Sequence, residues 1–226
     1  MKWLRRLFSS PPLPPLPRPH ITSVPISLEK GGVAKVISVE EFSSLTGARF
    51  APWIEMENSR IHKKIGRQGA KLRRKEKLVP LQIWQGSYFL REIETGYLPP
   101  VVVRWVSDQI GWGVFAARDF TAREYIAQYT GVLRKWRRSD RKNGYCFEYV
   151  HLSGESTPFL IDAREQGGIA RYINHSANPN LYPTLATVGD ITRVILLTKQ
   201  RVLKGEQLSY DYGPAYWAHR KAPILI

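Results

Sequence analysis

Gly167-Gly168-Ile169-Ala170-Arg171-Tyr172-Ile173-Asn174-His175-Ser176-Ala177-Asn178-Pro179-Asn180 is the stretch on which the reading of this chain turns. An apolar run through Ile169, Ala170, Tyr172 and Ile173 stops in a polar knot of Asn, His, Ser and Pro, so buried backbone passes directly into a turn. Alone, Asn174-His175-Ser176 is equally well explained by side chains bonding their own backbone. Two further segments change the balance. Gly111-Trp112-Gly113-Val114-Phe115-Ala116 lies upstream, and Gln207-Leu208-Ser209-Tyr210-Asp211-Tyr212-Gly213 lies downstream.

Around these segments the chain reads as mainly β with a few helices. Val101–Val106, Gly113–Ala117, Tyr125–Tyr129, Cys146–Val150, Phe159–Ala163, Arg193–Leu197 and Gln207–Tyr210 are short, β-branched or aromatic, and bounded by Gly, Pro, Asp or Ser. Small curled sheets are expected. Before them, Val39–Leu45 predicts a short helix capped by Ser38 with Glu41 three residues on. A longer helix is predicted from about Glu55 to Leu78. Residues 1–30 hold the proline-rich stretch Pro11 to Pro25, read as an extended, disordered spacer. Residues 31–98 form a basic, partly helical region, and residues 214–226 a C-terminal tail.

The 226 residues carry 34 Lys and Arg against 19 Asp and Glu, a formal net charge of +15. That excess selects anionic neighbours, nucleic acid and chromatin first, although a ribosomal or anionic-membrane setting produces the same number. The cations cluster in Arg60–Lys77 and Arg134–Lys142. A solvated face, a nuclear-address or nucleic-acid patch and a clamp for an acidic partner all fit the first block; sequence-independent phosphate contact is the reading taken forward for both. In the second block, Trp136 is either exposed among the cations or a core residue. The single cysteine, Cys146, excludes an internal disulfide and a zinc site built on two thiolates of this chain, and the five histidines lack ligand spacing; no metal is expected. No stretch approaches a membrane span, so a soluble protein is expected.

Taken together, residues 99–213 resemble the SET domain of protein lysine methyltransferases. The likeness runs in order through Gly111–Ala116, Gln128-Tyr129-Thr130-Gly131, Ile161-Asp162-Ala163-Arg164, Arg171–Asn180 and Lys204–Tyr212. It implies a β-clip fold with a C-terminal pseudoknot in which residues 172–178 are threaded beneath the chain ending at Tyr212. It implies S-adenosylmethionine as methyl donor, met by Gly111, Trp112, Gly113, Asn174, His175, Tyr212 and Trp217. It also implies a lysine channel with Tyr212 as the catalytic tyrosine, lined by Tyr210, Tyr145 and Tyr129. A Tyr at 210, where relatives carry Phe or Tyr, implies mono- or dimethylation.

The reaction agrees with those residue types. A free lysine, with a pKa near 10.4, lies about 4–5 kcal/mol from the neutral amine the transfer needs at neutral pH. A narrow aromatic channel that excludes water and aims phenol oxygens at the nitrogen supplies that shift. Cysteine clusters that bind zinc in many relatives are missing, and Ala177 stands where one such cysteine often lies. This metal-free form is similar to small SET proteins of chlamydia-like bacteria.

The implied substrate is a basic chromatin protein, a histone or a histone-like protein, carried on DNA held by the basic blocks. Glu148 and Glu155 are expected to offset repulsion at the channel. The implied setting is a bacterial cytoplasm or nucleoid or, for an exported effector, a host nucleus. A non-catalytic chromatin-binding module keeping the fold is the alternative. Residues 26–97 stay open between a homodimer contact, a DNA clamp and an autoinhibitory flap.

Overall fold

The computed structural model describes residues 26–30 and 32–218, so the whole proline-rich stretch Pro11 to Pro25 and the last eight residues lie outside the described part. The chain begins with strands β1 (Ile26–Lys30) and β2 (Val33–Ile37), helix α1 (Val39–Thr46), and the two-residue strands β3 (Arg49–Phe50) and β4 (Glu55–Met56). Three helices follow, α2 (Ser59–Arg74), α3 (Pro80–Tyr88) and α4 (Leu90–Thr95). Then come β5 (Val101–Ser107), β6 (Gly111–Ala116), β7 (Tyr125–Gln128), β8 (Val132–Lys135), β9 (Cys146–Glu148) and β10 (Phe159–Asp162). The last strands are β11 (Gln166–Gly167), β12 (Asn174–His175), β13 (Leu181–Val188), β14 (Ile191–Thr198) and β15 (Ser209–Tyr210), followed by one turn of helix, α5 (Pro214–Trp217).

The helix signals translate directly. Ser38 Oγ accepts the Glu41 amide at 3.1 Å, and Gly47, in the left-handed region at φ 73°, closes α1 by donating its N–H to Ser43. The longer helix starts later than its periodicity suggests, because Glu55 and Met56 are drawn into parallel pairing with Val132 and Leu133; Asn58 then caps Arg60 and Ile61.

The strands form small sheets, the largest ordered β2-β1-β5-β6 and β4-β8-β10-β9. Residues 26–30, expected within the disordered segment, are instead strand: Leu28 is buried and β1 runs parallel to β5, with Leu28 opposite Val103. The region before residue 99 is woven into the rest. β3 pairs with β11 at the head of the decisive stretch, Phe50 opposite Gly167. Phe42, Phe50, Ile54, Ile61 and Ile65 share one core with Tyr129, Ile161, Tyr172 and Leu208. α2 and α3 seat on the β13–β14 hairpin through glycines. A Cβ on Gly69 would lie 1.9 Å from the Asp190 carbonyl oxygen, and one on Gly86 1.9 Å from that of Thr187, so only glycine permits these approaches.

At the other end, β12 pairs in parallel with β15, Asn174 opposite Ser209 and His175 opposite Tyr210. Asn180 ties the crossing from both sides, donating to the Gln207 carbonyl at 2.8 Å and accepting the Ser209 amide at 3.0 Å. This clasp joins the decisive stretch to the C-terminal strand, at the place where the resemblance implies a knot.

Candidate active site

The clasp opens onto a cleft of about 1330 Å³. Every candidate residue except Gly113 lines it: Gly111 and Trp112 from β6, Tyr129 after β7, Tyr145 before β9, Asn174 and His175 on β12, Tyr210 and Tyr212 at β15, and Trp217 on α5. Gly113 has another task. A Cβ there would sit 2.9 Å from Gln207 Nε2 and 3.2 Å from Asn174 Nδ2, so this glycine lets the Asn174 amide close on β6, where it donates to the Trp112 carbonyl at 3.1 Å.

The hydroxyls of Tyr129 and Tyr212 and one ring nitrogen of His175 are held by backbone. Tyr212 Oη donates to the Ile173 carbonyl at 2.8 Å, and the Tyr212 amide donates to His175 Nδ1 at 3.2 Å. Because Nδ1 is thereby an acceptor, the 3.6 Å approach of Asp211 to the same atom is not an ion pair. Tyr129 Oη donates to the Tyr145 carbonyl at 2.9 Å. The hydroxyl of Tyr210 makes no hydrogen bond among the described residues. Tyr210 and Tyr212 stand with ring centroids 4.8 Å apart while Asp211 is exposed, as alternation along a strand requires.

Burial raises the pKa of Tyr129, Tyr210 and Tyr212 well above the phenol range, with neighbouring tyrosines adding to it. All three therefore remain neutral phenols at physiological pH, able to donate or accept but not to act as anionic bases. Cys146 also lines the cleft, and burial together with Asp162 and Asp140 pushes its thiol up to about 12. It stays a thiol and does not offer a competing nucleophile.

The short tail supplies a wall. Tyr216 packs on Tyr212 at 4.6 Å, and Trp217 lies 4.9 Å from the His175 ring and 6.2 Å from that of Tyr212, nearly parallel to it. Trp217 Nε1 is buried with no hydrogen-bond partner among the described residues.

Two cleft features escaped the sequence reading. Arg171 lines the cleft with its guanidinium 4.4 Å over the Tyr145 ring and 4.6 Å over that of Tyr172, its Nε fixed on the Ala163 carbonyl. Its position inside the decisive stretch was the available signal. The end of α1, Ser44 to Gly47, forms another wall, joined to the stretch by a Tyr172 to Thr46 hydroxyl hydrogen bond of 2.8 Å.

The second basic block needs correction. Arg134 is buried, bonded to both Asp140 oxygens and to Asp162 at 2.5–3.1 Å, so it cannot reach phosphate. Arg137 is paired with Glu57. Lys135, Arg138, Arg141 and Lys142 remain exposed, and Trp136 is exposed on the cleft rim rather than in the core. Asp140, Cys146 and Asp162 cluster closely enough to suggest metal ligands, but the Arg134 guanidinium already occupies both carboxylates. Glu148 faces the cleft as expected; Glu155 does not line it and instead accepts the His151 and Leu152 amides. No described helix is long and apolar enough to cross a membrane.

The SET domain family matches residues 111–213. Histone-lysine N-methyltransferase CLF of Arabidopsis thaliana is 33% identical over 54% of this chain and 14% of its own length. Histone-lysine N-methyltransferase trr of Drosophila melanogaster is 36% identical over 45% of this chain and 4% of its own. The chain thus spans a small part of these relatives. Among solved structures, Arabidopsis thaliana SUVH6 in complex with SAM superposes with a TM-score of 0.46, 26% identical over 51% of this chain and 27% of that one. Residues 111–213 of this chain are a SET domain.

Proposed function

We propose that the chain is an S-adenosylmethionine-dependent protein-lysine N-methyltransferase acting on a basic chromatin protein, a histone or a histone-like protein. The observation that carries this reading is the convergence, in one cleft, of the Asn174-His175 turn with the phenols of Tyr129, Tyr210 and Tyr212. The relatives named as histone-lysine N-methyltransferases support the same class.

The residues present fit the donor. Trp217 offers a buried N–H with no partner among the described residues, Arg171 offers a cation to a carboxylate, and Gly111 and Trp112 bring backbone to the cleft wall. Trp112, Asn174, His175 and Trp217 would hold the donor, which supplies an electrophilic methyl group on a sulfonium.

This chain's own groups then act on the lysine. The neutral phenols present oxygen lone pairs without an anion that would trap an ammonium, and the water-poor aromatic walls disfavour the charged amine, so its proton leaves to solvent before transfer. Tyr212, its proton engaged by the Ile173 carbonyl, fixes one side of the site. Tyr210, with its hydroxyl uncommitted, holds the amine and takes up room, which favours mono- over trimethylation. Glu148 draws a basic segment to the rim.

Incubating the protein with labelled donor and histone H3, or DNA-bound histone-like protein, followed by mass spectrometry, tests the proposal. Addition of one or two methyl groups to lysine is expected; donor binding with no transfer to any basic protein would favour the non-catalytic chromatin module.

A further inference from the structure

α2 is built against its own local stability. Its sixteen residues include Arg60, Lys63, Lys64, Arg67, Lys71, Arg73 and Arg74 and no acid. Like charges recur at spacings of three and four, where they repel, and the first turns hold cations at the positive end of the helix dipole, where acids would stabilise. Arg73 has a partner, Asp190 at 3.2 Å. The other cations of the helix are exposed and in no ion pair among the described residues. A segment that breaks the local rules without internal compensation marks a surface shaped for something outside the chain.

The geometry of the charge is regular. Arg60, Lys64, Arg67, Lys71 and Arg74 follow one another by four, three, four and three residues, which places them along a single ridge about 21 Å long. The opposite face is fixed: Ile61 and Ile65 are in the core, and Gly69 lies against the Asp190 backbone, so the ridge cannot turn inward. The same burial leaves no apolar face to enter a lipid surface, which such binding requires. The ridge also leads somewhere. The Lys64 ammonium lies 5.4 Å from the centroid of Phe159, and Phe159 lines the cleft alongside Trp136 and Arg141.

We infer that α2 is a docking ridge for the backbone of double-stranded nucleic acid, gripped without sequence preference, with the cleft rim at its side. About 21 Å matches on the order of six steps of a duplex at 3.4 Å per step. A lysine-bearing tail lying on that duplex is then presented at the rim despite the net charge it shares with the protein. The docking stands independently of chemistry in the cleft; the delivery of substrate rests on the methyltransferase reading.

The test uses the full chain and a short fluorescent duplex of arbitrary sequence, with affinity followed by anisotropy from about 50 to about 200 mM salt. The combined variant Arg60→Gln, Arg67→Gln, Lys71→Gln and Arg74→Gln spares Lys64 and is checked for unchanged circular dichroism. Removing four phosphate contacts is expected to flatten the log–log salt slope by about 3–4 and to weaken low-salt binding more than about tenfold. The pair Arg67→Gln and Lys71→Gln, which disturbs the helix less, is expected to flatten it by about 2. Unchanged slopes and affinities in both variants would overturn the inference, as would anionic phospholipid vesicles that bind the parent protein more tightly than the duplex does. In transfer assays the fourfold variant is expected to methylate free peptide like the parent and to lose stimulation by DNA. A parent protein that binds duplex with the expected slope but transfers no methyl group leaves the ridge standing and removes the enzymatic reading.

Discussion

The cleft and the outer face of α2 handle polarity in opposite ways. In the cleft, Tyr129, Tyr212, Asn174 and His175 each have a backbone partner at 2.8–3.2 Å, and Arg134, bonded to the cleft-lining Asp140, is buried between two carboxylates. On α2 a row of cations stands in solvent with one ion pair among them. The first arrangement recognises by position and is little affected by salt; the second recognises by charge and is screened over about 8–10 Å.

The contrast is tested most severely at Arg134. Its removal strands Asp140 and Asp162 and is expected to cost about 3–5 kcal/mol in denaturant unfolding, with little dependence on salt. A loss below about 1 kcal/mol would mean that this pair behaves like a surface contact. Acid examines the same network. Hydrogen bonds from Arg134 hold Asp140 below the usual range; burial alone would raise Asp162, but Arg134, Asn143 and the Arg164 amide outweigh it and hold it low. Both groups therefore stabilise the fold above the ordinary aspartate value, and that contribution is lost as pH falls below about 4. Melting temperature should drop more steeply there in the parent than in Arg134→Ala.

Next in size is Tyr212→Phe, which keeps the ring packing and removes the hydroxyl held by Ile173. Methyl transfer should fall about 10²–10³-fold, with donor affinity by calorimetry unchanged. Gly69→Ala then probes how α2 is seated: a methyl group driven toward the Asp190 carbonyl should cost about 1–3 kcal/mol and blunt the salt-dependent binding of nucleic acid without altering the cleft. The smallest effect is expected for Tyr210→Phe, with turnover changed by only a few fold and the products shifted toward higher methylation by mass spectrometry.

Much of this was legible in the chain because it is local. Ser38 and Glu41 announced a helix start, and alternation at Tyr210, Asp211 and Tyr212 put two phenols on one face. What could not be read is long range or breaks a local rule. β3 and β4 are two-residue strands whose partners lie more than seventy residues away, too short to leave a pattern. β13 contains Pro183, which argues against a strand; it is tolerated because β13 is the edge of its sheet. Arg134 read as one more cation in a basic run, and only the folding of Asp140 and Asp162 onto it reveals a buried tie.

The pairing of Phe50 with Gly167 also bears on how such a protein can be recombined. A cassette cut at the recognisable borders, 111 and 213, would take the signature residues while abandoning the aromatic and aliphatic plugs at Phe42, Phe50 and Ile54 that brace them from beneath. What is inherited as a motif is smaller here than what must collapse together, and transplants of this module should succeed only when the upstream eighty or so residues travel with it.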